Sequence, residues 1–169
     1  NFPHNWKNIL AWFKSLGVAK LYDVSLGADL CIWAHLRWLE QNPGKPIITQ
    51  PCPAIVSYCQ THNHKLLENL SPVQSPMGSA VALMREYDGL EGAIAAFSPC
   101  IAKGHEFEDI GVEYNLVFSH VAAYLEEQNI TLPREEAGYD HGEAGMGALF
   151  PMPGGLKENI TFLSGRKLN

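Results

Sequence analysis

The sequence has no apolar run close to the roughly 18 residues that a membrane-spanning helix needs, and no internal repeat or low-complexity segment. Charged residues make up only 18% of its 169 residues, the net charge is −6, and no stripe of Lys and Arg stands out. We therefore expect neither a membrane nor a nucleic acid as a partner. The hydrophobic share of 46% is typical of a globular protein with a real core.

The start of the sequence lacks both an initiator Met and the basic-then-apolar order of a signal peptide. We expect that the sequence is a piece of a longer protein and that this protein is cytoplasmic. These 169 residues include only four cysteines, Cys31, Cys52, Cys59 and Cys100. In a reducing compartment these are expected to be core residues, metal ligands or reactive thiols rather than disulfides.

The spacing of apolar residues alternates along the chain between the periods of helices and strands. It predicts helices at 5–16, 29–41, 53–60, about 77–87 and 119–128, and strands at 20–24, 46–49, 92–97 and 115–118. Because helices separate the strands, we predict an α/β fold with about four parallel strands and helices on both faces. Residues 1–135 would form this lobe. Residues 136–169 are rich in Gly, include a predicted strand at 148–150, and are expected to lead toward an absent second lobe.

Cys52 and Cys100 occupy the same kind of position, since each follows a proline that lies just after a predicted strand. The carboxyl ends of parallel strands border the ligand crevice of an open α/β sheet. A helix that begins after Cys52, and the cation of Lys103 after Cys100, favour the thiolate form. On spacing alone, the favoured interpretation is still that both are small buried hydrophobes, because two thiolates cannot complete a site of four ligands.

Other candidate groups carry weaker signals. Cys59, His62 and His64 form a Cys-x-x-His-x-His group that could bind zinc, although a polar helix end followed by a loop is the favoured interpretation. Cys31 lies on the apolar stripe of a predicted helix and is expected in the core. His141 is expected in a solvated loop.

The two cysteine motifs resemble those of the iron-only hydrogenases. Residues 49–53, Thr-Gln-Pro-Cys-Pro, are similar to the family's first motif, Thr-Ser-Cys-Cys-Pro. Residues 98–106, Ser-Pro-Cys-Ile-Ala-Lys-Gly-His-Glu, are similar to its second motif, Met-Pro-Cys-x-x-Lys-Lys-x-Glu. Segments 22–29, 69–78 and 145–155 also fit in order and spacing. The resemblance covers nearly the whole chain and implies one lobe of a two-lobed active-site domain.

The active site of this family is the H-cluster, a 4Fe-4S cube bridged to a two-iron subsite with CO and cyanide ligands. The resemblance implies that Cys52 and Cys100 are two of the four cysteine ligands of the cube. It also implies that Lys103 hydrogen-bonds a cyanide, as a compact ammonium can. Ser71 and Glu106 match residues with catalytic roles in proton transfer.

The family's third motif, which carries two further cysteines, is absent from this sequence. We therefore expect no cofactor in this piece alone, and both the 4Fe-4S cluster and the two-iron subsite only in the complete protein. The expected partners are the remainder of that protein, with its third cysteine motif and iron–sulfur or signalling domains, and molecular hydrogen.

Three positions depart from the pattern of catalytic members. Pro51 stands where they have a thiol that relays a proton to the subsite, and proline has no ionisable group. His35 and Trp38 stand where a helix usually carries glutamates of the relay; histidine can shuttle a proton and tryptophan cannot. These departures resemble the sensory or diverged branch of the family and predict slow hydrogen turnover.

Two alternatives to a hydrogenase active site stay open. One is a hydrogenase-like iron–sulfur scaffold that holds a cube without the two-iron subsite; Lys103 argues against it, because a bare cube has no cyanide to bind. The other is a thiol-dependent enzyme that uses Cys100 with Lys103 and His105. The sequence shows no oriented base and third group for such an enzyme.

Overall fold

The computed structural model describes residues 5–49 and 52–165. Its helices are α1 (Trp6–Ser15), α2 (Val24–Gln41), α3 (Pro53–Thr61), α4 (Pro76–Ala82), α5 (Gly104–Ile110), α6 (Phe118–Glu127) and α7 (Gly155–Ser164). Its strands are β1 (Ala95–Ser98) and β2 (Tyr114–Val117), and 3₁₀ turns lie at His64–Asn69, Ile101–Lys103 and Met146–Leu149. A π-helical turn, Leu83–Tyr87, continues α4. Within these ranges no helix is long and apolar enough to cross a membrane.

The sheet consists of β1 and β2, which run parallel with Ala95 opposite Tyr114 and Ser98 opposite Val117. Successive side chains of a strand point to opposite faces. Ala96 accordingly packs into a cluster with α4 and α5, whereas Phe97 packs against α1 and α6. The predicted α/β class is confirmed, and helices cover both faces of the sheet.

The prediction of about four strands is wrong, because the sheet of the described residues has two. No strand forms at 20–24: residues 20–23 lead directly into α2, of which Val24 is the first residue. The N–H of Leu21 donates to the carboxylate of Asp140 at 2.6 Å, and the carbonyl of Leu21 accepts the N–H of Asp140 at 2.8 Å. Asp140 therefore takes the hydrogen bonds that a neighbouring strand would use.

The strands predicted at 46–49 and 148–150 are also absent. Residues 46–49 contribute one isolated parallel bridge between Ile48 and Leu70. Residues 148–150 overlap the 3₁₀ turn Met146–Leu149. Ile47, Ile48 and Phe150 are only half-buried and Leu149 is exposed. Among the described residues, neither short apolar run has a neighbouring strand of any length to pair with, so an apolar run alone did not make a strand.

Most predicted helices are present within one or two residues of their predicted ends. The exception is α2, which begins at Val24 instead of Asp29, because the carboxylate of Asp23 accepts the N–H of Ser25 at 2.9 Å and caps the helix. Helices α5 and α7 were not predicted. The first has only seven residues, too few to show a period, and the second follows the Gly-rich segment.

The Gly-rich segment packs along α2. The cluster that joins α2 to α7 contains Ile32, Leu36, Leu156 and Ile160. Asp29 accepts the backbone N–H groups of Gly145 and Gly147, each at 2.7 Å. A Cβ on Gly147 would lie 2.0 Å from the carbonyl oxygen of Ser25, so only glycine permits this close approach.

Candidate functional site

Cys52 and Cys100 have nearly the same extended backbone, with φ −110° and ψ 107° for the first and φ −111° and ψ 114° for the second. Each immediately precedes a helical segment: α3 follows Cys52, and the turn Ile101–Lys103 follows Cys100. Pro53 favours the start of α3 because its ring presets a helical φ and the first helical position needs no N–H. Since α3 contacts that turn, the two cysteine-bearing segments are neighbours.

The thiols of this pair are accessible. Cys52 is exposed and Cys100 is partly exposed. Cys100 lies two residues beyond the carboxyl end of β1, where the sequence predicted it. The hydroxyl of Ser98, the last residue of β1, accepts the N–H of Cys100 at 3.3 Å and steadies this turn.

Lys103 and Glu106 form an ion pair close to Cys100. The Lys103 Nζ lies 2.5 Å from Oε2 of Glu106, and the two side chains are only 15% and 16% exposed. The other carboxylate oxygen of Glu106, Oε1, accepts a hydrogen bond from the hydroxyl of Ser75. A single carboxylate therefore joins the second cysteine motif to the start of α4.

His35 and Ser71 form a second, deeper group, with 2% and 1% exposure. The Nδ1 of His35 lies 2.8 Å from the carbonyl oxygen of Cys31 and must donate to it, because a carbonyl only accepts. In the neutral ring Nε2 then has a lone pair, and the hydroxyl of Ser71 donates to it at 3.0 Å. The N–H of Val73 donates to the Ser71 oxygen at 3.1 Å.

Burial keeps this second group uncharged. Desolvation lowers the pKa of His35 below its usual range, although the hydrogen bond to the Cys31 carbonyl acts in the opposite direction. Desolvation also raises the pKa of the Cys31 thiol to about 12. Its Sγ donates to the carbonyl of Gln74 at 3.3 Å. The interior beneath α4 thus holds a neutral imidazole and a neutral thiol.

A cavity of 1190 Å³ connects these elements. Its lining includes His35, Thr49, Met77 and Lys103, together with residues of the 145–160 segment such as Phe150. The two cysteines are not among the described residues that line it, but Thr49 and Lys103 are each three positions away from one of them. The cavity is therefore adjacent to both cysteine motifs.

The weaker candidates are placed apart from this site. Cys59 is buried, and the ring of His62 stacks on Tyr58 with centroids 5.6 Å apart. Across 5–49 and 52–165, no three or more His, Cys, Asp or Glu side chains are placed to hold a metal ion, so the zinc alternative gains no support. His105 is exposed and Lys103 is engaged by Glu106, so the described contacts provide no base for Cys100 as a nucleophile.

His141 lies in a loop whose adjoining residues are exposed, but its own side chain is half-buried. Its ring stacks against Tyr22 and Tyr139, at 5.5 Å between centroids in each case, and its Nε2 accepts the N–H of Asp23 at 2.6 Å. It therefore supports the start of α2. Gln50 and Pro51 lie outside the described residues, so the structure says nothing of the position at which a relay thiol was expected.

Sequence reasoning missed Ser75, which the structure connects to Glu106. One signal was available, because a Ser-Pro pair at the start of an apolar helix is typical of an N-cap followed by the first helical residue. The contact with Glu106, 31 residues away, has no local signal.

Comparison with known proteins identifies the family and the fold of the chain. The sequence profile described as "Iron only hydrogenase large subunit, C-terminal domain" matches residues 3–168. Iron hydrogenase 1 of Clostridium pasteurianum is 26% identical, over 86% of this chain and 29% of that protein. Structures of the FeFe-hydrogenase HydA1 from Chlamydomonas reinhardtii are similar in fold. One variant superimposes with a TM-score of 0.75 at 20% identity, and an apo variant with 0.74 at 21%.

These matches cover nearly all of this chain but only part of each relative. The HydA1 matches cover 96% of this chain and 48% of each HydA1 chain, so this chain spans about half the length of those proteins. At these identities the structural likeness demonstrates the fold, while the profile covers nearly every residue of the sequence. The chain therefore belongs to the iron-only hydrogenase large-subunit family and corresponds to part of its C-terminal domain.

Proposed function

We propose that this chain supplies part of an H-cluster site, in a hydrogenase that senses hydrogen or turns it over slowly. The observation that carries the proposal is the matched placement of Cys52 and Cys100. The two thiols have the same backbone conformation, stand on neighbouring segments, and are adjacent to a cavity that Lys103 lines.

The donor set fits part of the cluster. Cys52 and Cys100 would be two of the four thiolate ligands of the 4Fe-4S cube, and both are accessible to a ligand. When bound, the H-cluster supplies the chemistry that makes or cleaves molecular hydrogen. The remaining two thiolates would come from the rest of the complete protein, toward which residues 136–169 would lead.

Lys103 would bind an anionic cyanide of the two-iron subsite. Its ammonium has three N–H donors, one of which is engaged by Glu106, so it can offer another to a ligand in the cavity. Because only 15% of the side chain is exposed, little water competes for this ammonium. A charge-assisted hydrogen bond in such a setting orients its acceptor as well as stabilising it.

The proton path supports slow turnover. Ser71 and His35 form one hydrogen-bonded step, but the ring is held neutral by burial, so protonating it costs free energy. At the next relay position, Trp38 has an indole N–H that does not exchange protons readily. Pro51, where a thiol is expected in catalytic members, has no ionisable group. Each of these features would slow the delivery of protons to the cavity, while hydrogen binding needs none of them.

Hydrogen evolution by the complete, matured protein tests the rate. We expect turnover far below that of bacterial hydrogenases, and a substantial increase in Pro51→Cys, which restores the thiol. Trp38→Phe is the matched control, since it changes a relay position without adding an ionisable group. Turnover of the unaltered protein at the level of bacterial hydrogenases would contradict the proposal.

Infrared spectroscopy of the same protein separates a hydrogenase from the scaffold alternative. Bands of bound CO and cyanide are expected if the two-iron subsite is present. A protein that contains iron and sulfide but lacks those bands would instead be a 4Fe-4S scaffold.

The isolated 169-residue chain is expected to be inactive, with Cys52 and Cys100 reduced and unliganded. Elemental analysis of the purified chain checks this expectation. Four iron atoms bound per chain would show that a complete ligand set exists within these residues, and would contradict the proposal of a shared site.

A further inference from the structure

Ser75 has hydrogen-bonding partners on two sides. It is the N-cap of α4, and its Oγ accepts the N–H of Gly78 at 3.1 Å. Its own hydrogen remains available and is directed at Oε1 of Glu106, which as a carboxylate oxygen can only accept. The residue is 7% exposed, so water does not readily replace either partner.

Glu106 uses its two oxygens for two different partners. Oε1 accepts from Ser75, and Oε2 lies 2.5 Å from the ammonium of Lys103. Lys103 and Glu106 are neighbours on successive turns, an arrangement that alone contributes little because both side chains must give up rotamers to meet. The hydroxyl of Ser75, held in place as the N-cap of α4, restricts the rotamers of the Glu106 side chain before the ion pair forms.

We propose that Ser75 is a positioning residue that holds the Lys103 ammonium at the cavity by fixing the carboxylate of Glu106. The proposal rests on the proposed function of Lys103 and deepens it. Ser75 belongs to segment 71–75, which also carries Ser71, the partner of His35. One short segment thus positions both the Lys103 ammonium, through Glu106, and the neutral His35 imidazole.

Chemical labelling of lysines in the complete protein, prepared without the two-iron subsite, tests the inference. Reductive methylation followed by mass spectrometry gives the rate at Lys103 relative to the exposed Lys65. In Ser75→Asp the N-cap is retained but the donor is lost and Glu106 is repelled. We expect the relative rate at Lys103 to increase about fivefold or more. Ser75→Thr, which keeps both the cap and the donor, should leave the rate unchanged.

Two further variants keep the result interpretable. Glu106→Gln sets the rate for a Lys103 that has lost its ion pair. Ser75→Ala, which lacks both donor and cap, carries the test if Ser75→Asp does not fold. A rate at Lys103 that stays at the unaltered value in folded Ser75→Asp or Ser75→Ala, while Glu106→Gln accelerates it, would overturn the inference.

The labelling result is independent of the cofactor, so the two proposals can fail separately. In the matured protein, the cyanide bands should shift in Ser75→Asp and remain in place in Ser75→Thr. Absence of these bands from the unaltered protein would refute the role of Lys103 toward cyanide, and the labelling rates would still decide whether Ser75 fixes the ion pair.

Discussion

The four cysteines fall into two pairs with opposite surroundings. Cys52 and Cys100 precede helical segments with extended backbones and accessible thiols. Cys31 and Cys59 lie within helices α2 and α3, and each is 1% exposed. Thus Cys52 immediately precedes α3 and Cys59 lies within it, seven positions further on. The comparison shows that position relative to a helix start, and not residue type, separates candidate ligands from packing residues in this fold.

The difference between the pairs with the largest consequence for function should appear in cluster binding. In the complete, matured protein we expect Cys52→Ala and Cys100→Ala each to lower bound iron at least about tenfold, because a cube that loses one of its thiolates is not retained. Cys59→Ala is the matched control and should keep its iron, since that thiol is buried in the interior. Iron content and sulfur-to-iron absorption measure the effect. Full iron occupancy in Cys52→Ala would remove the distinction between the pairs.

The second difference concerns reactivity in the 169-residue chain without iron. With iodoacetamide at pH 8, Cys52 should be alkylated at least about a hundredfold faster than Cys31. Cys31 is buried, and desolvation raises its pKa to about 12, so very little of it is thiolate at that pH. Mass spectrometry of peptides from timed samples gives both rates. In urea the two rates should converge, and a difference that persists after unfolding would show that burial is not its cause.

The third difference reverses the first, because the buried pair should matter for stability. Cys59→Ala is expected to lower the free energy of unfolding by about 1–2 kcal/mol, since it removes a buried sulfur and leaves a small cavity. Cys52→Ala should change it by no more than about 0.5 kcal/mol, because this thiol is exposed. Urea denaturation of the two variants measures both values. A larger loss in Cys52→Ala would mean that its thiol has packing partners.

Sequence reasoning succeeded where a local rule governs the structure. The proline-flanked cysteines predicted the helix start after Cys52 and the position of Cys100 just beyond β1. Helical periodicity located α1, α3 and α6 within one or two residues. These features depend on neighbours in the chain, so the sequence contains what is needed to predict them.

Sequence reasoning failed where a residue distant in the chain determines the local structure. Asp140 occupies the hydrogen-bonding groups of Leu21 and prevents a strand there, although nothing around residue 21 shows it. The contact of Ser75 with Glu106 and the stacking of His141 on Tyr22 likewise join segments far apart in sequence. Tertiary hydrogen bonds of this kind override local preference and have no periodic signal.

The smallest expected effect concerns the imidazole that adjoins the buried cysteine Cys31. Burial lowers the pKa of His35, so the unfolded chain takes up a proton at a higher pH than the folded chain does. The stabilising effect of a neutral His35 is therefore complete above the usual histidine pKa of about 6.5 and is lost as pH falls below it, by at most about 1.4 kcal/mol per pH unit. Urea denaturation at pH 7.5 and 5.5 should show a steeper loss in the unaltered protein than in His35→Gln. His105→Gln, at an exposed position, should retain the full slope, and equal slopes in all three proteins would show that His35 is not held neutral by its surroundings.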